Sequence, residues 1–356
     1  MKFDPCTERE RIYTRTKEMT NHNISNHYES HTSTSYESAF FYSEKEYTTW
    51  LCNLVRDAFG ISTVVGDDKL VVDGGDTRCG CNSNDDVSSS ADDNVDGSRQ
   101  RKRRVLLDVG GGTGNFTSMV IGGVDTLEGV VVDPFLPASS STASTFCNDN
   151  QGEKQRLKFV KASAEEFIPS GHKLHTSNID EKKEEDVIPW WKTGYHHVLL
   201  KEVVHHFDAT ERVGIFTGIR NGLIKNNKHG MNENVGGVVA SMLIITRPQV
   251  HIDYPMWSAA KDVWATNQPS ANDIVSDLRK AGFQEVQQYI KSYPCEIELN
   301  KWLDMVRNRF WSTFSNFTDE EIEEGCERIM KEVQQPDGEE VMIKFDERLV
   351  FITART

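Results

Sequence analysis

The stretch that decides the fold is VLLDVGGGTGNF, residues 105–116. A short apolar run from Val105 to Val109 leads into a glycine-rich turn, and a helical pattern begins at Asn115. Glycines in such a turn let the backbone approach a ligand closely and present amide N–H groups at the start of a helix. The pattern therefore predicts a strand, a ligand-binding loop and a helix in succession.

The spacing of the glycines distinguishes between ligands. A dinucleotide fingerprint GxGxxG starting at Gly110 would need glycine at position 115, which is Asn115. A phosphate-binding loop GxxxxGK(S/T) is also absent, because no lysine follows Gly114. What remains is an acid, Asp108, followed by Gly110, Gly112 and Gly114 at every second position. This pattern resembles motif I of the class I S-adenosylmethionine (SAM) dependent methyltransferases, which implies that these four residues bind the cofactor.

Two further segments are similar to cofactor-binding motifs of that family. In the segment EGVVVDP, residues 128–134, Asp133 lies at the carboxyl end of the second predicted strand, where an acidic side chain can accept hydrogen bonds from both hydroxyls of a ribose. The segment FVKASAEEF, residues 159–167, is similar to the part that faces the adenine, and Ser163, the Ala164 backbone or Glu165 would make that contact. The alternative is that Ser163 only caps the following helix.

The segment YHHVLLKEVVHHFD, residues 195–208, is similar to the family's fourth strand and the turn after it, with His196 in place of the usual Asp. Lys201 lies at the end of the strand, at the crevice where such sheets bind ligands, and is a candidate cofactor ligand. His205 and His206 are candidate catalytic bases, because neutral imidazole can take a proton near pH 7. The alternative is that His205 packs in the core and His206 orients a loop.

Three arginines are candidates for binding the methyl acceptor. Arg247 follows the fifth predicted strand, and Arg307 and Arg309 lie in the segment MVRNRFWS. Guanidinium groups bind carboxylates in a two-pronged geometry, so these side chains could form a clamp on an acidic acceptor. Surface arginines without such a role are the alternative.

The fold class follows from the type of hydrophobic pattern. Continuous apolar runs, rather than alternating ones, indicate strands that are covered on both faces. They alternate with helical patterns, which predicts an α/β fold: a doubly wound, Rossmann-like, mostly parallel seven-stranded sheet with helices on both faces. The predicted strands are 105–109, 130–132, 159–160, 198–200 and 238–246, with two late strands at 285–290 and 349–353.

Polar stretches divide the chain. Four segments rich in Asp, Ser, Gly, Asn or charged residues indicate disordered inserts at 66–104, 137–156, 170–192 and 226–236. The predicted organisation is an N-terminal helical cap or lid at 1–65, an acidic and then basic insert at 66–104, and a methyltransferase core at 105–356 that contains the other three inserts. Residues 247–264 are further candidate lid material.

The net charge of the chain excludes fewer classes of binding partner than its magnitude suggests. The net charge of −15 is concentrated in 67–97 and 318–347, so it does not describe the catalytic surface and does not by itself exclude nucleic acid. The argument against nucleic acid is that the segment after the fourth strand, LLKEVVHHF, lacks the Asn/Asp-Pro-Pro-aromatic turn and the Pro-Cys pair of nucleobase enzymes. The oligomeric state stays open.

Cysteines and hydropathy indicate the compartment. The seven cysteines are scattered, without a CxxC pair or metal-ligand spacing, so neither a metal nor a disulfide framework is expected. Without an apolar run long enough to cross a bilayer or an apolar leader, we expect no membrane partner and a cytoplasmic, or at least intracellular, location.

The resemblance implies SAM as cofactor and methyl transfer to an N, O, S or C atom of a small-molecule acceptor. Nucleic-acid or protein methylation is one alternative. A module that binds SAM without catalysis is the other.

Overall fold

The computed structural model describes residues 45–61, 104–124, 126–136, 156–168, 194–224, 240–333 and 341–356. Nearly all of the four predicted inserts, and residues 1–44 and 62–65 of the predicted cap, lie outside the described residues.

Seven strands form one sheet in the order β3-β2-β1-β4-β5-β7-β6. Only β7 runs antiparallel to its neighbours, so the predicted mostly parallel seven-stranded sheet is confirmed. The order reverses between β1 and β4, which creates a crevice at their carboxyl ends. The strands are β1 Arg104–Val109, β2 Leu127–Val132, β3 Leu157–Val160, β4 His197–Lys201, β5 Ser241–Thr246, β6 Glu285–Glu298 and β7 Met342–Arg355.

Helices cover both faces of the sheet, because successive strand residues point to opposite sides. Leu106 and Leu199 pack with α1 Lys45–Phe59 and α2 Asn115–Ile121. Leu107 and Leu200 pack on the other face, which is covered by α3 Ala164–Phe167, α4 Arg212–Gly222 and α6 Ala271–Lys280. The core of the sheet therefore has two apolar layers, one on each face.

The last two strands form a long arm that continues past the sheet. Both have 14 residues, far more than the short strands expected at 285–290 and 349–353. Val350 pairs with Thr246 at the end of β5, so the part of β7 before Val350 lies beyond the carboxyl edge. Buried and exposed residues alternate along this part, because one face of the arm is solvated. Its sequence is therefore not a continuous apolar run, which explains why the predicted strands are too short.

A second core forms around the arm. Between β6 and β7 lie α7 Leu299–Arg307, a 3-10 turn Ser312–Asn316 and α8 Asp319–Glu332, which pack with α5 Ser258–Asn267. Their contacts are largely aromatic, with stacked rings at Trp257 and Phe314 and tilted rings at Trp302 and Trp311. We call the segment between β6 and β7, residues 299–341, the aromatic insert. Together with α5, which begins in the predicted lid segment 247–264, it provides most of the aromatic side chains of this core.

Helix α1 lies against the sheet. Its residues Leu51, Val55 and Phe59 belong to the core of the α1 and α2 face, so this described part of the predicted cap covers a face of the sheet. None of the helices in the described ranges is long and apolar enough to cross a membrane.

Two glycines on α4 provide a matched test of this packing. A Cβ at Gly218 would lie 2.3 Å from Ile168 Cγ2, whereas nothing lies within 4 Å of a Cβ at Gly214. We expect Gly218→Ala to lower the free energy of unfolding by about 1–3 kcal/mol through overpacking. Gly214→Ala should raise it by up to about 1 kcal/mol, because alanine favours helix. Denaturant titration measures both, and a stable Gly218→Ala variant would contradict this packing.

Candidate active site at the carboxyl edge of the sheet

The loop after β1 leaves open space above its backbone. Gly110, Gly112 and Gly114 all have left-handed φ angles, of 73°, 54° and 76°. A Cβ at Gly110 would lie 2.6 Å from Cγ2 of Val203, a residue that follows β4. At this position the loop therefore packs closely against the segment after β4. At Gly112 no described residue lies within 4 Å of a Cβ position. The loop therefore leaves room for a ligand at this point.

Asp108 is held out of water beneath this loop. Its side chain is on the α2 face, where Thr117 Oγ1 donates a hydrogen bond to Oδ2. A Cβ at Gly111 would lie 2.5 Å from the same oxygen, so the close approach of the loop requires glycine. Burial raises the pKa of Asp108 to about 6, although the Thr117 bond and the charge of Lys201 oppose the rise. Its other oxygen, Oδ1, is buried and has no hydrogen-bond donor among the described residues, so it can accept from a ligand.

Asp133 joins the end of β2 to the glycine loop. Its Oδ2 accepts a hydrogen bond from Gly112 N–H at 2.9 Å, and its Oδ1 accepts from Phe135 N–H at 2.8 Å. Burial raises the pKa of this carboxyl, and the two N–H groups oppose the rise. Each carboxylate oxygen can accept a second hydrogen bond, so the predicted contact with two ribose hydroxyls is compatible with this arrangement.

Ser163 caps α3. Its Oγ accepts from Glu166 N–H at 3.2 Å, and Glu166 Oε2 accepts from Ser163 N–H at 3.0 Å, which is a reciprocal capping box. The capping alternative for Ser163 is therefore confirmed. A contact of Ser163 or of the buried Ala164 backbone with adenine stays a prediction.

The two candidate bases lie together in the 3-10 turn Val204–His206 after β4. The rings of His205 and His206 are 3.9 Å apart between centroids and inclined by 48°. Burial lowers the pKa of His205 well below its usual value, and the neighbouring His206 adds to this. His205 is consequently a neutral imidazole near pH 7.

His196 lies at the opposite edge of the sheet. Its Nδ1 accepts a hydrogen bond from Val105 N–H at 3.1 Å, at the amino ends of β1 and β4. His196 therefore joins the amino ends of two strands and lies away from the carboxyl edge.

Lys201 ends β4 on the same face as Asp108. Its Nζ lies 5.2 Å from the ring centroid of Phe116, at the start of α2. Burial lowers the pKa of Lys201 and the charge of Arg247 lowers it further, while Asp108 and Glu347 oppose the change.

Arg247 is buried among carboxylates. Its Nε donates to Tyr254 Oη at 2.6 Å and to Glu347 Oε1 at 3.1 Å, and its Nη1 pairs with Glu202 Oε2. Tyr254 Oη donates in turn to Glu347 Oε2. We call these four residues the Arg247 network.

The other two arginines lie on the insert. Arg307 pairs with Glu323 at 3.0 Å and with Asp304, and Arg309 pairs with Asp319 at 2.7 Å. Since each of the three arginines is bound to different carboxylates, the structure does not bring them together as one acceptor clamp. The acidic segment that the sequence shows at 318–347 supplies most of their partners.

The sequence places Glu202 next to Lys201 at the switch-point crevice after β4 but gives it no specific role. It gives no role to Tyr254 or Glu347 either. Tyr254 lies in a loop, and Glu347 lies 100 residues after Arg247 in an acidic segment that reads as solvated. Glu347 is nevertheless completely buried.

The strand order with its single antiparallel strand among the described residues, and the glycine loop at the switch point, identify the fold. It is a doubly wound, Rossmann-like α/β fold. No protein-family model matches the sequence, and no curated protein matches it.

Solved structures with this architecture include methyltransferases. A cyclopropane synthase of Mycobacterium tuberculosis is 12% identical with a TM-score of 0.40, and the match covers 72% of this chain and 79% of that one. A presumed methyltransferase of Bacillus halodurans is 15% identical with a TM-score of 0.39, over 71% and 92% of the two chains. A phosphoethanolamine N-methyltransferase of Haemonchus contortus, solved with S-adenosylhomocysteine, is 12% identical with a TM-score of 0.36, over 73% and 50%. Likeness of this size does not bear on function, which must be argued from the side chains at the carboxyl edge.

The burial of Asp108 predicts an unusual dependence of stability on pH. In the folded protein the carboxyl keeps its proton up to about pH 6, whereas an exposed carboxyl releases it near 3.8. The free energy of unfolding should therefore fall as the pH rises through this window. Asp108→Asn removes the buried charge and should be more stable than the wild type at pH 7 by roughly 1–3 kcal/mol.

Denaturant titration across this pH range checks the prediction. The advantage of Asp108→Asn should disappear below about pH 4, where both states of the wild type are protonated. Asp57→Asn, at an exposed carboxyl on α1, serves as the control and should show no such dependence. An advantage that does not change with pH would rule out charge burial as its cause.

Proposed function

We propose that the protein is a SAM-dependent methyltransferase that acts on a small-molecule acceptor. The observation that carries the proposal is the open backbone face at Gly112, which lies between the carboxylates of Asp108 and Asp133 at the switch point of the sheet. A sheet of this type binds its ligands at that crevice.

Residues in and around the glycine loop match individual chemical groups of the cofactor. Asp108 Oδ1, buried without a donor among the described residues, would accept from the ammonium of the methionyl part. Asp133 would accept from the ribose hydroxyls, and Ser163 or the Ala164 backbone would contact the adenine. When bound, SAM supplies a methyl group on a sulfonium, which is already activated for in-line displacement. The contribution of the chain is therefore alignment of the acceptor and, where needed, removal of its proton.

The small-molecule class of the acceptor is inferred by elimination. The segment LLKEVVHHF after the fourth strand lacks the Asn/Asp-Pro-Pro-aromatic turn and the Pro-Cys pair of nucleobase enzymes. A module that binds SAM without catalysis is the second candidate, and turnover with any acceptor distinguishes the two.

Gly112 and Gly123 allow a matched test of cofactor binding. Both have left-handed φ angles, of 54° and 73°, and open space at the Cβ position, but Gly123 follows α2, away from the loop. Gly112→Leu and Gly123→Leu should each lower the free energy of unfolding by about 1–2 kcal/mol. Only Gly112→Leu should lose affinity for SAM in isothermal titration. If the wild type bound neither SAM nor its demethylated product, the proposed function would be wrong.

His206 is tested as the base. His206→Ala should lower the turnover number by roughly a hundredfold if the imidazole removes a proton from the acceptor, with the dissociation constant of SAM unchanged. His205→Ala should mainly lower the melting temperature. Equal losses of turnover and SAM affinity in His206→Ala would assign the histidine to the fold or the cofactor instead.

A further inference from the structure

Glu202 combines backbone strain with an unsatisfied buried oxygen. Its φ angle is 58°, in the left-handed region that non-glycine residues seldom occupy. Its Oε2 pairs with Arg247, but Oε1 is buried and no described residue donates a hydrogen bond to it. Both features are costly in a folded protein, and both are typical of functional positions.

The surroundings hold Glu202 in this conformation. Its N–H donates to Ile245 O at 2.8 Å, which fixes the backbone to the end of β5. Arg247 is fixed in turn by Tyr254 and Glu347, which is completely buried. The carboxylate of Glu202 is therefore preorganised at the carboxyl end of β4, next to the crevice.

The charges around the crevice leave Oε1 available to a donor. Arg247 is shared between two carboxylates, Glu202 and Glu347. The nearby Lys201 is placed toward Phe116 and interacts with Asp108, on the cofactor side. The carboxylates are Asp108, Glu202 and Glu347, and the cations are Lys201 and Arg247. This cluster carries one excess negative charge when all five side chains are ionised.

We propose that Glu202 binds the amino group of the methyl acceptor, and that the acceptor is a primary or secondary amine. This inference rests on the proposed function, and it names the class of acceptor. An acceptor carboxylate or phenolate would be repelled by the same oxygen, whereas an N–H group satisfies it.

The reaction itself favours this assignment. The lone pair of the amine nitrogen forms the new N–C bond while the C–S bond breaks and its electron pair stays on sulfur. The positive charge thus moves from sulfur to nitrogen, where Glu202 Oε1 stabilises it, and the extra N–H proton then leaves to water through the base that the proposed function tests at His206. A carboxylate placed where positive charge develops stabilises the transition state more than the ground state.

Matched acceptors test the class. The full-length protein is incubated with methyl-labelled SAM and sets of compounds that share a skeleton: propylamine, propanol and propionate; phenethylamine, phenethyl alcohol and phenylacetate; tryptamine, tryptophol and indole-3-acetate. We expect label in amines and none in their alcohols or acids. A panel in which no amine is labelled, or in which an alcohol or acid is labelled instead, overturns the inference.

A variant tests the residue. Glu202→Gln keeps the shape of the side chain and removes its charge, so kcat/KM for a labelled amine should fall by about tenfold to a hundredfold, with the dissociation constant of S-adenosylhomocysteine unchanged. Glu211→Gln, at an exposed carboxylate before α4, is the control and should behave as the wild type. Amine labelling by Glu202→Gln at the wild-type rate would remove Glu202 from the acceptor site.

The two proposals fail in different ways. If the wild type does not bind SAM, the proposed function is wrong. If it binds SAM but labels no amine, only this inference is wrong. The wild-type panel tests the acceptor class even if Glu202→Gln does not fold.

Discussion

Burial of charged side chains along one face of the sheet is the constraint on which the site depends. Asp108 on β1, Lys201 on β4, Arg247 after β5 and Glu347 on β7 interact at the carboxyl edge on the α1 and α2 face. Each would be costly to remove from water alone, and together they offset part of that cost. Burial still raises the pKa of Asp108 and lowers that of Lys201. The parallel register makes this possible, because it aligns the strand ends and keeps residues of the same parity on one face.

The same constraint connects the acceptor side to the cofactor side. Glu347 belongs to the part of β7 beyond the sheet, and Tyr254 belongs to the segment after β5; both bind Arg247. Tyr254 also packs against Trp302 and Trp311 of the second core. The arm and its aromatic insert are consequently attached to the end of β5 by buried hydrogen bonds as well as by apolar contacts. Substitutions in the insert can therefore alter the position of Arg247 and, through it, of Glu202.

The features predicted from the sequence are the local ones. The strand, glycine loop and helix at 105–121 follow from neighbouring residues, and continuous apolar runs indicate the parallel strands. The 14-residue length of β6 and β7 could not be predicted, because half of each strand is solvated on one side and carries charges. The Arg247 network was missed for a related reason: its members are far apart in sequence, and Glu347 lies in a run of acids whose other members are mostly exposed. The composition of a segment gives its net charge. It does not show which of its carboxylates is buried and paired with an arginine that is distant in sequence.

The two halves of the site therefore differ in how they are built. The proposed cofactor side is formed largely by backbone, at Gly110 to Gly114, and its requirements are readable as glycines and acids at fixed spacing. The proposed acceptor side is formed by side chains whose partners come from β4, β5 and β7. Because Arg247 is shared between Glu202 and Glu347, the charge presented by Glu202 depends on a residue that the acceptor need not touch. Acceptor preference in this fold can thus change through a buried partner on the arm while the glycine loop and Asp133 stay the same.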